Sequence, residues 1–324
     1  MTRFLILAEL MLLDFFVAGA PALAKNDSLV SRIPAGIRSE PDLSYAANGN
    51  PRQRLDLYLP KSPKGLKPLP VVVFIHGGAF IWGDRKPEAG EGDPAGLNLM
   101  LSMVASGEYA GASIGYRLSN EAIGPAQIHD CKAAIRWLRG NAAKYKLDPN
   151  RIGVMGTSAG GHLSAMLGAS GGVAALEGQL GSFPKISSRV SCVVDEYGPT
   201  DFLALHGEHN RSPDTPAAKL IGGPVPDHLE AAQGASPMTY IGASTSPVLL
   251  IHGTKDPVVN FTQSELFYSA LRKAGVDATL IPVTGGGHGN FSSPEVSERI
   301  RAFFDRHLRG KEIPVSAEPI RLEK

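Results

Sequence analysis

Short apolar runs alternate with longer amphipathic segments along most of the chain after residue 25. Several of the short runs are continuously apolar and rich in valine and isoleucine, as expected of strands that are covered on both faces. Such an alternation is typical of a mostly parallel central sheet flanked by helices, the α/β class. The predicted strands are residues 55–59, 71–75, 110–116, 151–156, 190–197, 248–253 and 278–283.

The amphipathic segments predict helices between and after these strands. Residues 127–147 carry apolar side chains at helical spacing on one face and basic side chains on other faces. Residues 262–275 and 294–308 have similar patterns, and Gly275 is a typical C-terminal helix stop. In the first segment the apolar face comprises Ile128, Cys131, Ile135 and Leu138, and the basic residues are Lys132, Arg136 and Arg139.

Two segments depart from this alternation. Residues 205–238 are dense in proline, glycine and charged residues and lie between two predicted strands, which fits either a short lid-like insert or a long surface connection. Residues 311–324 contain proline and charges without periodicity, so we expect a loosely ordered tail. We therefore expect one α/β domain over residues 25–310, with the insert inside it.

Charge and cysteine content narrow the classes of partner. The 32 lysines and arginines nearly balance 31 aspartates and glutamates, and no long block of one sign occurs, so no nucleic-acid partner is expected. Cys131 and Cys192 fall in a predicted helix and a predicted buried strand, without metal-ligand spacing. We expect two free structural thiols and no metal site.

The N-terminal residues 1–24 resemble a secretory signal peptide, because a basic residue precedes an apolar run and small residues occupy positions 22–24. Glu9 and Asp14 interrupt the apolar run, which leaves an amphipathic N-terminal helix as the alternative. No later segment has the roughly 18 uninterrupted apolar residues of a membrane span. We expect cleavage after Ala24 and a secreted or periplasmic protein without a membrane partner.

The pattern GxSxG occurs twice, around Ser158 and around Ser170. Ser158 follows the predicted strand 151–156 and precedes a helix-like segment, the setting in which a nucleophile elbow holds its serine in a sharp turn. Gly156 and Gly160 would allow the adjoining strand and helix to approach closely. Ser170 comes at the end of that predicted helix, where glycines indicate a helix stop. Local context therefore favours Ser158 as the nucleophile.

A serine at its ordinary pKa needs a general base, and the base needs an orienting acid. His288 follows the last predicted strand in TGGGHGNF, where three glycines allow a loop to fold back over the sheet edge. We predict that His288 is the base, since a late histidine on a loop after a strand fits the order of such folds. The competing histidines lie on predicted helices or in the insert: His162, His206, His209, His228 and His307.

Two aspartates follow strands between the predicted nucleophile and the predicted base. Asp256, in IHGTKDPVV, comes after the strand that immediately precedes the strand of His288, so the two loops would lie side by side. We therefore predict that Asp256 is the orienting acid. The other candidate, Asp201 in YGPTDF, leads into the insert, and its alternative role is to cap the segment that follows.

Acyl transfer also requires N–H donors for the negative charge of a tetrahedral intermediate. In HGGAFIWGD, Gly77 and Gly78 follow a strand and have no side chains to block their N–H groups. With Ala159, the residue after the nucleophile, they form the predicted oxyanion hole, and Ala79 is an alternative to Gly77. His76 is expected to steady this loop and not to transfer protons.

Together these motifs resemble those of the α/β-hydrolase superfamily, specifically carboxylesterases related to hormone-sensitive lipase and to the bacterial feruloyl and acetyl-xylan esterase group. The likeness covers most of residues 50–308 and is carried by HGGAFIWGD, GTSAGGHLSAML, YGPTDF, IHGTKDPVV and GGGHG. The family's roles carry over to Ser158 as nucleophile, Asp256 as acid and His288 as base. The chain has HGGA where lipase-like members often have HGGG, which leaves the third oxyanion donor open.

The resemblance implies cofactor-free hydrolysis of carboxylic esters through an acyl-enzyme. The expected substrates are small-molecule or carbohydrate-linked esters with short or aromatic acyl groups, including acetyl or feruloyl esters of plant polysaccharide. Phe80, Trp82 and Tyr197 are candidate substrate-binding residues, and their alternative role is as core aromatics. Two other functions stay open: amide hydrolysis of the arylformamidase or peptidase type, and non-catalytic binding on a hydrolase scaffold.

Overall fold

The computed structural model describes residues 33–64, 68–86, 94–205, 211–291 and 293–322. The predicted signal peptide therefore lies outside the described residues. Within these ranges nine strands form one sheet. They are β1 (Ile37–Ser44), β2 (Arg54–Pro60), β3 (Leu69–Ile75), β4 (Ala110–Ile114), β5 (Leu147–Thr157), β6 (Cys192–Glu196), β7 (Val248–Gly253), β8 (Ala278–Thr284) and β9 (Ile320–Arg321).

The sheet is mostly parallel, as the sequence pattern predicts. Its strand order is β1-β2-β4-β3-β5-β6-β7-β8-β9. The β1–β2 and β2–β4 pairs are antiparallel, and the pairs from β4 through β9 are parallel. Every residue of β3, β4, β6 and β7 is buried, because helices cover both faces of these strands.

The helices form two layers around the sheet. One apolar core lies between the sheet and α2, α4 and α8, and the other lies between the sheet and α1 and α9. None of the helices within the described ranges is long and apolar enough to cross a membrane. The helices are α1 (Pro94–Ala105), α2 (Ala126–Gly140), α3 (Ala142–Tyr145), α4 (Ala159–Ala169), α5 (Ala174–Glu177), α6 (Pro216–Ile221), α7 (Leu229–Ala235), α8 (Thr262–Lys273) and α9 (Pro294–Arg309).

The predicted helix 127–147 differs from the structure in two respects. It is divided into α2 and α3 at Asn141. Two of its basic residues, Lys132 and Arg136, are buried at 0% and 1% exposure, although they lie away from the apolar face in the sequence pattern. Lys132 Nζ lies 2.8 Å and Arg136 Nη1 3.3 Å from the Glu177 carboxylate, so this charge allows both cations to be buried between α2 and α5.

The tail after Gly310 also differs from the prediction of loose order. Residues 320–321 form β9, which pairs in parallel with β8, and Ile320 is fully buried. Arg299 of α9 donates hydrogen bonds to the backbone carbonyls of Ser316 and Glu318. These contacts depend on the position of α9 and the sheet, which no local periodicity in the tail reveals.

The described part of the insert, residues 211–238, contains α6, α7 and a short 3₁₀ turn at Val225–Asp227. Three of its apolar side chains, those of Leu220, Ile221 and Ala232, are buried in the core that contains α2 and α4. The insert therefore has secondary structure of its own and packs against the helical layer.

Candidate active site

Ser158 lies between the end of β5 and the start of α4 in an unusual backbone conformation. Its φ is 54° and its ψ is -118°, a region that residues with a side chain rarely adopt. The turn brings α4 against β3, because a Cβ built on Gly160 would lie 2.0 Å from the carbonyl oxygen of Ile75. Position 160 thus requires glycine, and the turn has the geometry of a nucleophile elbow.

Ser158, His288 and Asp256 form one hydrogen-bonded line. Ser158 Oγ lies 2.9 Å from His288 Nε2, and His288 Nδ1 lies 2.8 Å from Asp256 Oδ2. Because a carboxylate accepts hydrogen bonds, Nδ1 carries the proton and Nε2 accepts from the serine hydroxyl. The structure brings the three predicted residues together in the order that a serine, base and acid relay requires.

Asp256 is buried and receives four hydrogen bonds. Its Oδ1 accepts from the N–H groups of Val258 and Val259 at 2.8 and 2.9 Å, and its Oδ2 accepts from His288 and from His252, the latter at 3.2 Å. Burial raises the pKa of Asp256, but hydrogen bonds from His252 and His288 outweigh burial and hold the pKa well below its usual range. Asp256 is therefore a carboxylate at neutral pH.

The glycine loop after β3 lies directly beside the nucleophile. A Cβ built on Gly77 would lie 3.5 Å from the Cβ of Ser158. Gly78 has a φ of +104°, and a Cβ there would lie 2.1 Å from the carbonyl oxygen of Trp82, so this turn also requires glycine. The N–H groups of Gly77, Gly78 and Ala159 donate no hydrogen bond to any described residue. They are available to an oxyanion.

His76 holds this loop by its ring and its backbone. Its Nδ1 donates to the carbonyl of Gly77 at 2.7 Å, and its ring stacks on Tyr116 at a centroid distance of 4.3 Å. Tyr116 Oη in turn donates to the carbonyl of His76 at 3.0 Å. Burial lowers the pKa of His76 to about 4, so the ring is neutral at pH 7. These contacts fit a steadying role for His76.

The amino-acid sequence of the chain matches a known family. The BD-FAE family model matches residues 55–271. The chain belongs to the BD-FAE family. Its sheet, helices and sequence-similar structural neighbours make it an α/β-hydrolase of the carboxylesterase type.

Known esterases resemble this member of the family over most of its length. Esterase LipC of Mycobacterium tuberculosis is 32% identical over 242 residues, which are 74% of this chain and 57% of LipC. This chain spans little more than half the length of that relative. A truncated carbohydrate esterase from gut microbiota has a TM-score of 0.73 and 33% identity, covering 84% of this chain and 96% of that one. The bifunctional GH43-CE of Bacteroides eggerthii also has a TM-score of 0.73, with 36% identity, covering 83% of this chain and 38% of that chain.

The three aromatic residues proposed for substrate binding lie in different environments. Phe80 and Tyr197 are each 3% exposed and pack edge-on against His162 and His288, with ring centroids 5.2 and 4.8 Å apart. They fit the alternative of core aromatics. Trp82 is 46% exposed and its ring lies against Gly78, since a Cβ built there would be 3.2 Å from Trp82 Cδ2. Of the three, Trp82 has the ring surface that a substrate could reach.

The competing serine and aspartate have structural contacts. Ser170 is fully buried at the end of α4, where its Oγ donates to the carbonyl of Met166 at 2.6 Å. Asp201 begins the 3₁₀ turn Phe202–Ala204, and its side chain accepts from the N–H of Leu203 at 3.0 Å. Ser170 thus fits the alternative of a helix end, and Asp201 fits the alternative of a cap.

Sequence reasoning missed His252, the second histidine on Asp256. It lies in β7, four residues before Asp256, and is fully buried. The four-residue spacing of His252 and Asp256 does not predict this contact, because it forms only when the loop after β7 turns back toward the strand.

A cavity of about 620 Å³ lies behind His162, between α2, α4 and the insert. Its walls are mostly apolar, and the triad residues are not among those that line it. Burial lowers the pKa of His162 to about 4, and its Nδ1 donates to the carbonyl of Pro199 at 2.7 Å. His162 therefore lines this cavity as a neutral side chain at pH 7.

Cys131 and Cys192 are free and buried, as predicted. Burial raises the pKa of both thiols, so they are unreactive as nucleophiles at neutral pH. The described residues contain no group of three or more histidine, cysteine, aspartate or glutamate side chains suited to hold a metal ion.

Proposed function

We propose that this protein is a serine carboxylesterase that hydrolyses short-acyl or aromatic-acyl esters, including acetyl or feruloyl esters of carbohydrates. The observation that carries the proposal is the line from Ser158 Oγ to His288 Nε2, 2.9 Å, and from His288 Nδ1 to Asp256 Oδ2, 2.8 Å. A serine in a strained elbow with such partners is activated as a nucleophile.

The reaction proceeds through an acyl-enzyme. His288 Nε2 takes the proton of Ser158 as Oγ attacks the ester carbonyl carbon, and Asp256 stabilises the resulting imidazolium. The oxyanion accepts hydrogen bonds from the N–H groups of Gly78 and Ala159. The alcohol leaves with the proton from His288, and a water deprotonated by the same nitrogen then releases the acid.

Exposed apolar side chains lie on loops near Ser158. Trp82 and Leu203 are 46% and 44% exposed and lie on loops after β3 and β6, at the sheet edge that carries Ser158. Exposed apolar surface of this kind suits contact with an extended substrate. The similar gut-microbial structure is described as a carbohydrate esterase, which supports a carbohydrate-linked ester.

The proposal is tested by replacing each GxSxG serine in turn. We expect Ser158→Ala to lower kcat for p-nitrophenyl acetate by about 10³-fold or more, since the nucleophile is lost. The matched variant Ser170→Ala should keep the rate of the wild type. Retention of activity in Ser158→Ala would refute the assignment.

A substrate panel separates the proposal from its alternatives. Acetylated xylan, feruloyl esters and p-nitrophenyl esters from acetyl to long-chain are compared by kcat/KM, alongside an aryl formamide and a peptide anilide. Preference for short or feruloyl esters supports the proposal. Faster turnover of the amides favours an amidase, a long-chain optimum contradicts the substrate class, and no turnover of any substrate favours a binding protein.

A further inference from the structure

A second buried histidine contacts the acid of the triad. His252 is 0% exposed in β7. Its Nε2 lies 3.2 Å from Asp256 Oδ2 and 2.9 Å from the carbonyl oxygen of Val259. Its Nδ1 lies 2.7 Å from Ser264 Oγ on α8. The ring therefore links the catalytic carboxylate to a helix behind the sheet.

The partners of His252 fix its tautomer. Both the carboxylate of Asp256 and the carbonyl of Val259 accept hydrogen bonds, so Nε2 must carry the proton. In the neutral ring, Nδ1 then accepts from the Ser264 hydroxyl. The Nε2–H of His252 is thus shared between the Val259 carbonyl and Asp256 Oδ2, the same atom that accepts from His288 Nδ1–H.

The two oxygens of Asp256 are held in different ways. Oδ1 is fixed by the backbone N–H groups of Val258 and Val259, which belong to its own loop. Oδ2 is held by two imidazoles, and His288 changes its protonation state in every catalytic cycle. His252 is the Oδ2 partner that does not take part in proton transfer.

We propose that His252 is a positioning residue, which holds Asp256 Oδ2 in line with His288 through the Nε2–H bond and is itself held by Ser264. The inference rests on the proposed serine mechanism. If the donor is lost, Oδ2 can move while Oδ1 stays bound to the backbone N–H groups of Val258 and Val259. Misplacement of a catalytic group by about 1 Å can lower a rate by about 100-fold. We expect substrate binding to be unaffected, because the His252 side chain is fully buried.

Two other buried or packed side chains lie near His252 and are affected by substitutions there. Asp195 of the neighbouring strand β6 is fully buried, and its Oδ1 accepts from the N–H of Gly198 at 2.9 Å. The ring of Phe261 packs edge-on against His252 at 5.6 Å. Gln and Leu, which are close to histidine in volume, should disturb these neighbouring groups least.

Three substitutions at His252 separate the hydrogen bond from packing. His252→Gln places an amide donor near the position of Nε2, His252→Asn places it near Nδ1, and His252→Leu removes it. We expect kcat for p-nitrophenyl acetate to fall about 10- to 100-fold in the Leu and Asn variants, with KM within about two-fold of the wild type. His252→Gln should recover most of the loss.

Two further variants keep the test decisive if His252→Leu fails to fold. Ser264→Ala frees Nδ1, and we expect a smaller loss of kcat of about three- to ten-fold because the ring can turn away from Asp256. Phe267→Leu truncates another fully buried residue of α8 and should leave kcat unchanged. Equal loss in the Gln, Asn and Leu variants, or the same loss in Phe267→Leu, would show a merely structural role.

Parallel measurements on Ser158→Ala and His288→Ala distinguish the two proposals. If these variants stay active, the serine mechanism is wrong and the role of His252 falls with it. If they are inactive while His252→Leu and Ser264→Ala keep the wild-type kcat, the mechanism stands and the positioning role is refuted.

Discussion

The role of each histidine in this site is set by the hydrogen-bond partners of its ring nitrogens. His288 meets a carboxylate on one side and a hydroxyl on the other, which suits proton transfer. His76 and His162 each donate from Nδ1 to a backbone carbonyl and are buried, which suits support of a loop. The residue type alone does not distinguish a proton-transfer role from a supporting role.

The candidate triad was predictable at this scale, whereas the support around it was not. Ser158, Asp256 and His288 each follow a strand, and their order along the chain restricts the choice. The contact of His252 with Asp256 depends on how the loop after β7 folds back, and the stacking of His76 on Tyr116 depends on strands far apart in sequence.

Burial of His162 makes stability depend on pH. Its pKa is lowered to about 4, below the ordinary value of about 6.5, so in that interval the unfolded chain binds a proton that the folded chain does not. The free energy of unfolding therefore falls as pH decreases through this interval and levels off below it. We expect His162→Asn, which keeps a donor near Nδ1, to reduce the difference between about pH 7 and about pH 4.5 by on the order of 2 kcal/mol.

Urea unfolding at the two pH values measures this difference. The control Phe202→Leu removes packing against the same ring without removing a titrating group, so it should lower stability equally at both values. An unchanged pH dependence in His162→Asn would contradict the role of its burial.

The hydrophobic pattern of the sequence predicted the strands that are buried on both faces. It did not predict elements that are partly exposed, lack a polar face or are very short. Strand β3 is apolar throughout, and β7 is apolar up to His252, because both faces of these strands are covered. In contrast, β1 is half-exposed, and α1 has apolar residues on several faces without a clear polar stripe. The two-residue strand β9 is too short for any period to be seen.

The strand β9 predicts a stability effect in the C-terminal segment. Ile320 is fully buried in the core that contains α9, so Ile320→Ala should lower the free energy of unfolding by about 2 to 5 kcal/mol. The neighbouring control Glu318→Ala, at an exposed side chain, should change it by less than about 0.5 kcal/mol. Denaturant unfolding checks both, and a neutral Ile320→Ala would mean that β9 does not pack as described.

On the scale of the whole molecule, the candidate catalytic groups come from loops at one edge of the sheet. The oxyanion loop follows β3, Ser158 follows β5, Asp256 follows β7 and His288 follows β8. Parallel strands place these loops side by side although they are far apart in sequence. This is why motif order predicted the site before any distance was known.

The N-terminal residues predict that the protein is exported. We expect expression in a bacterial host to yield a periplasmic or secreted form that begins at Lys25, because small residues at positions 22 and 24 fit signal cleavage. Intact mass spectrometry of the fractionated protein measures the N-terminus. The variant Ala24→Arg should retain residues 1–24, and a cytoplasmic wild type that keeps Met1 would refute the prediction.

The environment of Trp82 has a practical consequence. The chain has two tryptophans, of which Trp82 is exposed beside Gly78 and Trp137 packs on Tyr145 in the helical layer. In a Trp137→Phe background, the tryptophan fluorescence of the protein would come from one indole next to the oxyanion loop. Binding of an ester or a product next to this loop could then be followed optically, without a chromogenic substrate.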